Sequence, residues 1–393
     1  MLSQLDPIPE YIKQDPHLRN GFYTYNGQIY LSKITALIQA TKDNSDIEYY
    51  YNDHVYQKYS WSIEPAADLK TLYREQAQAL RDKYDHLIVM YSGGSDSVNM
   101  LKSFVDNGIL PDEAWTFVVD NHTADKYDTN NIEVTITGFP DLRRVQQMGV
   151  NVELINLIEY DSPMAEDWYL DGPAARLSHD AMIRKKVFFE HPRVKKLVDQ
   201  GKKVGFVLGL DKPRILLEND TWHVGFLDLV NSAHWTSQHL LTDGPYLEFF
   251  YYDPDRPELL AKATHAVIDY FESRWTAEQC RMFFNHHHCR KGPVNIDYYR
   301  RAVNLSIYSD TWDELHNFSL GKNRGKFNQI FCQKAAFLID HQTHWDNYNV
   351  WTHGMQLLSQ QLDRKFFEPW VQINGHWTQI YPVRKLATKV QAG

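Results

Sequence analysis

The stretch "HLIVMYSGGSDSVNMLKSF", residues 86–104, decides how this chain is read. "HLIVMY" has the composition of a strand buried on both faces of a parallel sheet. Val98, Met100, Leu101, Phe104 and Val105 then recur at helical spacing. Between them lies Ser92-Gly93-Gly94-Ser95-Asp96-Ser97. Gly93 and Gly94 remove the Cβ atoms that would stop a backbone from wrapping an anion. Ser92, Ser95 and Ser97 add hydroxyl donors, and the helix that follows aims its free N–H groups and positive dipole end at the same place. Asp96 is the discordant residue, because a carboxylate in an anion nest requires a cation there too. Mg²⁺ bridging phosphate oxygens would supply it. The turn has neither the Gly-Lys-Ser/Thr of a Walker A loop nor Gly-x-Gly-x-x-Gly. Plain γ-phosphate hydrolysis and dinucleotide binding are therefore disfavoured.

Outward from this turn, strands and helices alternate. "AWTFVVD" (114–120) reads as a second strand, "DLRRVQQMG" (141–149) as a helix closed by Gly149, and "VNVELINLIEY" (150–160) as a third strand. "AARLSHDAMIRKKVFFEH" (174–191) reads as a helix and "KKVGFVLGL" (202–210) as a fourth strand. This rhythm predicts an α/β, doubly wound parallel sheet with its ligand at the C-terminal strand ends. Upstream, "FYTYNGQIYL" is a hairpin turning at Asn26-Gly27, "SKITALIQATKD" a short helix capped by Ser32, and "DIEYYYNDHVY" an edge strand. An amphipathic helix over Ala66–Tyr84 leads into the motif. Three units result: a small N-terminal α+β unit (1–84), the phosphate-loop domain (85–254) and a mainly helical C-terminal domain (255–393).

The 393 residues carry a formal net charge of −9, which excludes a wholly basic nucleic-acid sleeve. Tyr (24) and Trp (11) are abundant enough to line clefts as well as the core. The three cysteines, Cys280, Cys289 and Cys332, form no disulfide framework and point to a reducing cytoplasm. The first twenty residues lack the apolar core of a signal peptide, and no apolar run approaches a membrane span.

Ser92–Ser97 after an apolar strand resembles the SGGxDS PP-loop of the N-type ATP pyrophosphatase superfamily. That superfamily includes asparagine synthetase, the tRNA lysidine and thiouridine synthetases, GMP synthetase and, more loosely, phosphoadenylylsulfate reductase. The whole chain, through "YNDHVY…W…EP…LYREQAQALRDKYD" upstream and "EFFYYDPDRPELLAKATH" downstream, also resembles uncharacterised phage-encoded PP-loop proteins of asparagine-synthase-like or reductase-like type, which would place it in the host cytoplasm. The resemblance implies an adenine nucleotide alpha hydrolase-like (HUP-type) fold with ATP and Mg²⁺ as cofactors. An acceptor oxygen would attack the α-phosphate to give an adenylated intermediate and pyrophosphate, and a nitrogen or sulfur nucleophile would then displace AMP. The cofactor-binding residues would be Ser92, Gly93, Gly94, Ser95, Asp96 and Ser97, with Asp96 meeting Mg²⁺ through pyrophosphate. Val119 and Asp120 would lie against the adenosine, where Asp120 or His122 could meet ribose or acceptor. Lys212 and Arg214, in "GLDKPRI", would join Asp96 as catalytic residues and neutralise charge as pyrophosphate leaves. Arg184, Lys185 and Lys186 could reach phosphate or RNA, or form a solvated helix face.

The acceptor could be a small molecule or a nucleic acid, served by a separate ammonia or sulfur donor; the oligomeric state is left open. Sulfur transfer to a nucleobase and a non-catalytic nucleotide-binding subunit are the alternatives. "CRMFFNHHHCRKG" (280–292) gathers Cys280, His286, His287, His288 and Cys289, which with Cys332 leave a metal or cluster open, though no Cys-x₂-Cys pair is present. His341 and His344 lie one helical turn apart without a companion acid–His motif. The chain departs from asparagine synthetase in having no cysteine before Cys280, hence no glutaminase half, and from the reductases in lacking a C-terminal cysteine.

Overall fold

A computed structural model describes residues 21–30, 33–118, 138–156, 190–209, 212–226, 244–286, 296–308 and 378–387, together with residues 159, 187, 188 and 360. In chain order the elements are β1 (Phe22–Tyr25), β2 (Gln28–Tyr30), α1 (Lys33–Lys42), β3 (Glu48–Tyr50), α2 (Asp53–Tyr56), α3 (Leu69–Lys83), β4 (His86–Met90) and α4 (Ser95–Val105). They continue with β5 (Glu113–Val118), α5 (Phe139–Gln147), β6 (Asn151–Asn156), α6 (Pro192–Asp199), β7 (Val204–Leu208), β8 (Arg214–Glu218) and β9 (Thr221–Gly225). Last come β10 (Tyr246–Phe249), α7 (Pro257–Arg274), α8 (Ala277–His286), α9 (Ile296–Ile307) and β11 (Tyr381–Lys385).

The N-terminal strands form a three-stranded sheet of order β2-β1-β3. Its hairpin turns at Asn26 (φ 48°) and Gly27 (φ 75°), the paired positive angles a two-residue turn demands. β3 occupies the edge predicted for it, and the chain then coils into α2. Helix α3 begins where the Asp68 side chain accepts from the Thr71 N–H at 2.7 Å, and buries Leu72, Tyr73, Gln76, Ala77 and Leu80.

A second sheet has five strands, all parallel, in the order β10-β7-β4-β5-β6, with helices packed against it. Leu87, Ile88 and Val89 of central β4 are fully buried, as the unbroken apolar run requires. Strand β7 is shorter than its sequence pattern. Lys202 and Lys203 precede it in a turn, where the Lys203 N–H is spent on Asp85 Oδ2 at 2.9 Å. At the strands' N-terminal ends sits buried Glu113. It accepts from Trp115 Nε1 at 2.7 Å and Asn151 Nδ2 at 3.2 Å, meets His86 Nε2 at 2.7 Å, and is also bonded by Arg193. Burial works to raise its pKa, but the bonds from His86 and Trp115 and the Arg193 charge outweigh it and bring it below the usual value. This network pins β4, β5 and α6 together at the end away from the glycine turn.

A third sheet is antiparallel, of order β11-β9-β8. Asn219 (φ 49°) and Asp220 (φ 57°) make its hairpin turn, and β11, from the far end of the chain, closes the other side. One hydrophobic core runs from Tyr23 through the parallel sheet to Leu386. Buried hydrogen bonds tie its parts: Tyr51 Oη donates to the Tyr252 carbonyl at 2.8 Å, and Tyr73 Oη to the Ile307 carbonyl at 2.9 Å. No helix among the described residues is long and apolar enough to cross a membrane.

Candidate functional site

Counted along the chain, the parallel strands run 5-4-1-2-3 across the sheet, so the winding reverses between β4 and β7. At such a switch point the connections leave in opposite directions and open a crevice at the C-terminal strand ends. The turn after β4 (92–97) and the segment after β7 (209–214) both begin there.

The turn is held by its own serines. Ser97 Oγ donates to the Gly94 carbonyl at 3.0 Å and receives the Ser92 N–H at 3.1 Å; the two hydroxyls lie 3.1 Å apart. Gly93 sits at φ 81°, a left-handed value that suits glycine. Gly94 caps α4 without offering a side-chain acceptor, so its first N–H groups are not consumed by a cap. The Ser97 proton and the Ser92 and Gly94 N–H groups are thus spent in bracing the turn, and what faces an anion is the uncapped first N–H groups of α4 with the Ser95 hydroxyl among them.

From the β7 side, Gly209 packs against this turn so closely that a Cβ there would lie 2.9 Å from the Asp96 carbonyl oxygen and 3.0 Å from Ser97 Cα. Just beyond it, Lys212 Nζ stands 3.0 Å from Asp96 Oδ1, an oxygen that is itself buried and accepts no aligned hydrogen bond. Tyr252 Oη donates to the Lys212 carbonyl and fixes that backbone. Tyr251 Oη donates to the Asp96 carbonyl at 2.8 Å and accepts from Asn99 Nδ2 at 3.0 Å. Burial first, with the charge of Asp96 adding to it, holds the phenols of Tyr251 and Tyr308 protonated; Tyr73 is raised by burial, then Tyr251 and Asp96. Three neutral phenols thus lie within range of the Asp96 carboxylate.

Helix α9 reaches both halves of the site. Asn304 Nδ2 donates to Ser95 Oγ at 3.2 Å, and Tyr299 Oη donates to the Pro213 carbonyl, next to Lys212, at 3.0 Å.

Of the residues expected from sequence, Ser92 to Ser97 and Lys212 come together. Arg214 opens β8, in register with Gly225, and so belongs to the antiparallel sheet. Val119, Asp120 and His122 lie outside the described residues, as do Arg184, Lys185, Lys186, Ser32, His287, His288, Cys289, Cys332, His341, His344 and the side chain of His286. Cys280 is fully buried in α8, and burial, with nearby Glu272, pushes its thiol up to about 11. It is a neutral thiol at physiological pH rather than a nucleophile. Among the described residues no three His, Cys, Asp or Glu side chains are grouped to hold a metal ion.

Gly209, Tyr251, Tyr252, Tyr299 and Asn304 were not expected at the site. Gly209 had a sequence signal, a glycine ending an apolar strand, which marks close backbone approach. Tyr251 and Tyr252 lie in "EFFYYDPDRPELLAKATH", a stretch singled out in the sequence without a role, while Tyr299 and Asn304 lie far along the chain with no local signal. No family model matches the chain, and no curated protein matches it.

Proposed function

We propose that the protein is a PP-loop ATP pyrophosphatase of the HUP-type fold, which adenylates an acceptor oxygen and releases pyrophosphate. One observation carries this reading. The glycine–serine turn and Lys212 belong to different crossovers of the sheet, yet they meet at its switch point with Lys212 Nζ 3.0 Å from Asp96 Oδ1. An anion nest alone would suit any phosphate. A nest with a buried carboxylate oxygen and an ammonium beside it suits a polyphosphate that carries a divalent cation.

The residues present fit that group. The α4 N-terminus and the hydroxyls of Ser92 and Ser95 would hold the pyrophosphate end of ATP, with Ser97 bracing the turn through the Gly94 carbonyl. Asp96 Oδ1, without an aligned hydrogen bond, would face Mg²⁺, which when bound neutralises phosphate charge. Lys212 would stabilise the negative charge that grows on the leaving pyrophosphate. Tyr251 keeps the Asp96 backbone in place, and Gly209 lets β7 approach it. The acceptor, a small molecule or a nucleic acid, would enter over the C-terminal strand ends.

Product analysis with α-labelled ATP and Mg²⁺, with and without cell extract, tests this. Labelled AMP from the native protein, absent in Asp96→Asn, supports the reading. Labelled ADP, or AMP that persists in Asp96→Asn, overturns it.

A further inference from the structure

Resting on that reading, we infer that Asn304 of α9 is a positioning residue for the phosphate loop, directing the Ser95 hydroxyl proton onto the bound pyrophosphate. Ser95 is buried, and the bond from Asn304 Nδ2 at 3.2 Å is the one its hydroxyl makes among the described residues. A hydroxyl offers one proton and two lone pairs. With a lone pair taken by the Asn304 amide, the proton remains to be given, and Ser95 opens α4 beside the anion nest. A phosphate oxygen there would complete the set. A carboxylate or carbonyl in place of the amide N–H would instead draw the proton away from the ligand.

Asn304 is well placed to impose this. It is fully buried, and among the described residues its Oδ1 has no hydrogen-bond partner, so the bond from its Nδ2 to Ser95 is the polar contact that holds the side chain there. Its helix cannot drift. Tyr73 Oη holds the Ile307 carbonyl at 2.9 Å, Tyr299 Oη holds the Pro213 carbonyl at 3.0 Å, and the Tyr308 ring lies 5.7 Å from that of Tyr251. Helix α9 therefore holds the Asn304 amide in place beside Ser95.

The test is binding of inorganic pyrophosphate with Mg²⁺ by isothermal titration, in native protein, Ser95→Ala, Asn304→Ala, Asn304→Asp and the double alanine variant, each first checked for a native melting transition. A hydrogen bond to a charged group corresponds to roughly a tenfold to hundredfold change in affinity. Ser95→Ala and Asn304→Ala should each weaken binding by about tenfold, and the double variant by no more than Ser95→Ala alone. Asn304→Asp nearly preserves shape, so it separates positioning from folding. It should bind worse than Asn304→Ala at pH about 8 and recover relative to native as the pH falls to about 5, when the introduced carboxyl regains a proton to donate. Independent, additive losses in the double variant, or an Asn304→Asp defect that ignores pH, would overturn the inference while leaving the loop's function intact. Native protein that binds no pyrophosphate would overturn both.

Discussion

Replacing Gly209 by alanine adds a single methyl group where the exit of β7 packs against the phosphate loop. The new Cβ would lie 2.9 Å from the Asp96 carbonyl oxygen and 3.0 Å from both Asp96 C and Ser97 Cα. All three are backbone atoms, so no side chain can swing aside. Restoring an ordinary contact of about 3.4 Å needs a shift of roughly 0.5 Å in the Asp96 peptide. That peptide is held by Tyr251 Oη at 2.8 Å, so the bond stretches or the loop tilts. Overpacking of this kind costs about 1–3 kcal/mol, and the lower chain entropy of alanine returns about 0.4–1. A net destabilisation of about 1–2 kcal/mol is expected by chemical denaturation. The sharper effect falls on ligand affinity, because the displaced atoms carry the nest: Mg-pyrophosphate should bind at least tenfold more weakly. Gly205→Ala is the control. Its Cβ would strike the Tyr84 ring at 2.6 Å, at the opposite end of β7, so it should cost comparable or greater stability without changing pyrophosphate affinity in the folded fraction. Gly209→Ala binding within twofold of native, or Gly205→Ala weakening binding as much, would refute the reasoning.

Lys212→Met keeps the stem and removes the ammonium that lies 3.0 Å from Asp96 Oδ1; AMP formation should fall about a hundredfold or more, measured as turnover at saturating ATP. Asp53, buried and bonded by Tyr381 of β11, has its pKa raised to about 7 by burial, against the lowering effect of that bond. A raised folded-state pKa favours the native state while the group is protonated. Its contribution, roughly 4 kcal/mol at most, is therefore complete below pH about 4 and lost as pH rises through about 7. Melting curves across that window should show the loss, and Asp53→Asn should flatten it. Cys280, with its thiol raised to about 11, should resist iodoacetamide at neutral pH until the chain is unfolded, and Cys280→Ala should keep AMP formation. Loss of AMP formation in that variant with folding intact would favour sulfur chemistry.

The parallel sheet was legible in sequence because its cause is local. A run such as Leu87–Met90 has no polar face, and a Ser-Gly turn that opens a helix can be read from six residues. The hairpin at Asn26-Gly27 was legible for the same reason. The hairpin at Asn219-Asp220 carried a comparable signal, two residues tolerant of positive φ between "RILLE" and "TWHVG", but the expected α/β rhythm masked it. Its third strand, β11, could not be read locally, since it is fixed only by pairing with β9 from far along the chain. The site divides the same way. The loop was complete in the sequence, and Lys212 followed from its place after a strand. Tyr251 and Asn304 act at the loop from β10's exit and from α9, and tertiary packing alone brings them there.

The central claim is that the loop holds a pyrophosphate leaving group. ATP labelled at the γ-phosphate, incubated with the protein, Mg²⁺ and an extract that supplies acceptor, tests it most directly. The account predicts that the label leaves as intact pyrophosphate, in equal amount to AMP, and that Asp96→Asn and Lys212→Met both suppress it. Label released by the protein as orthophosphate, with ADP left behind, would contradict it.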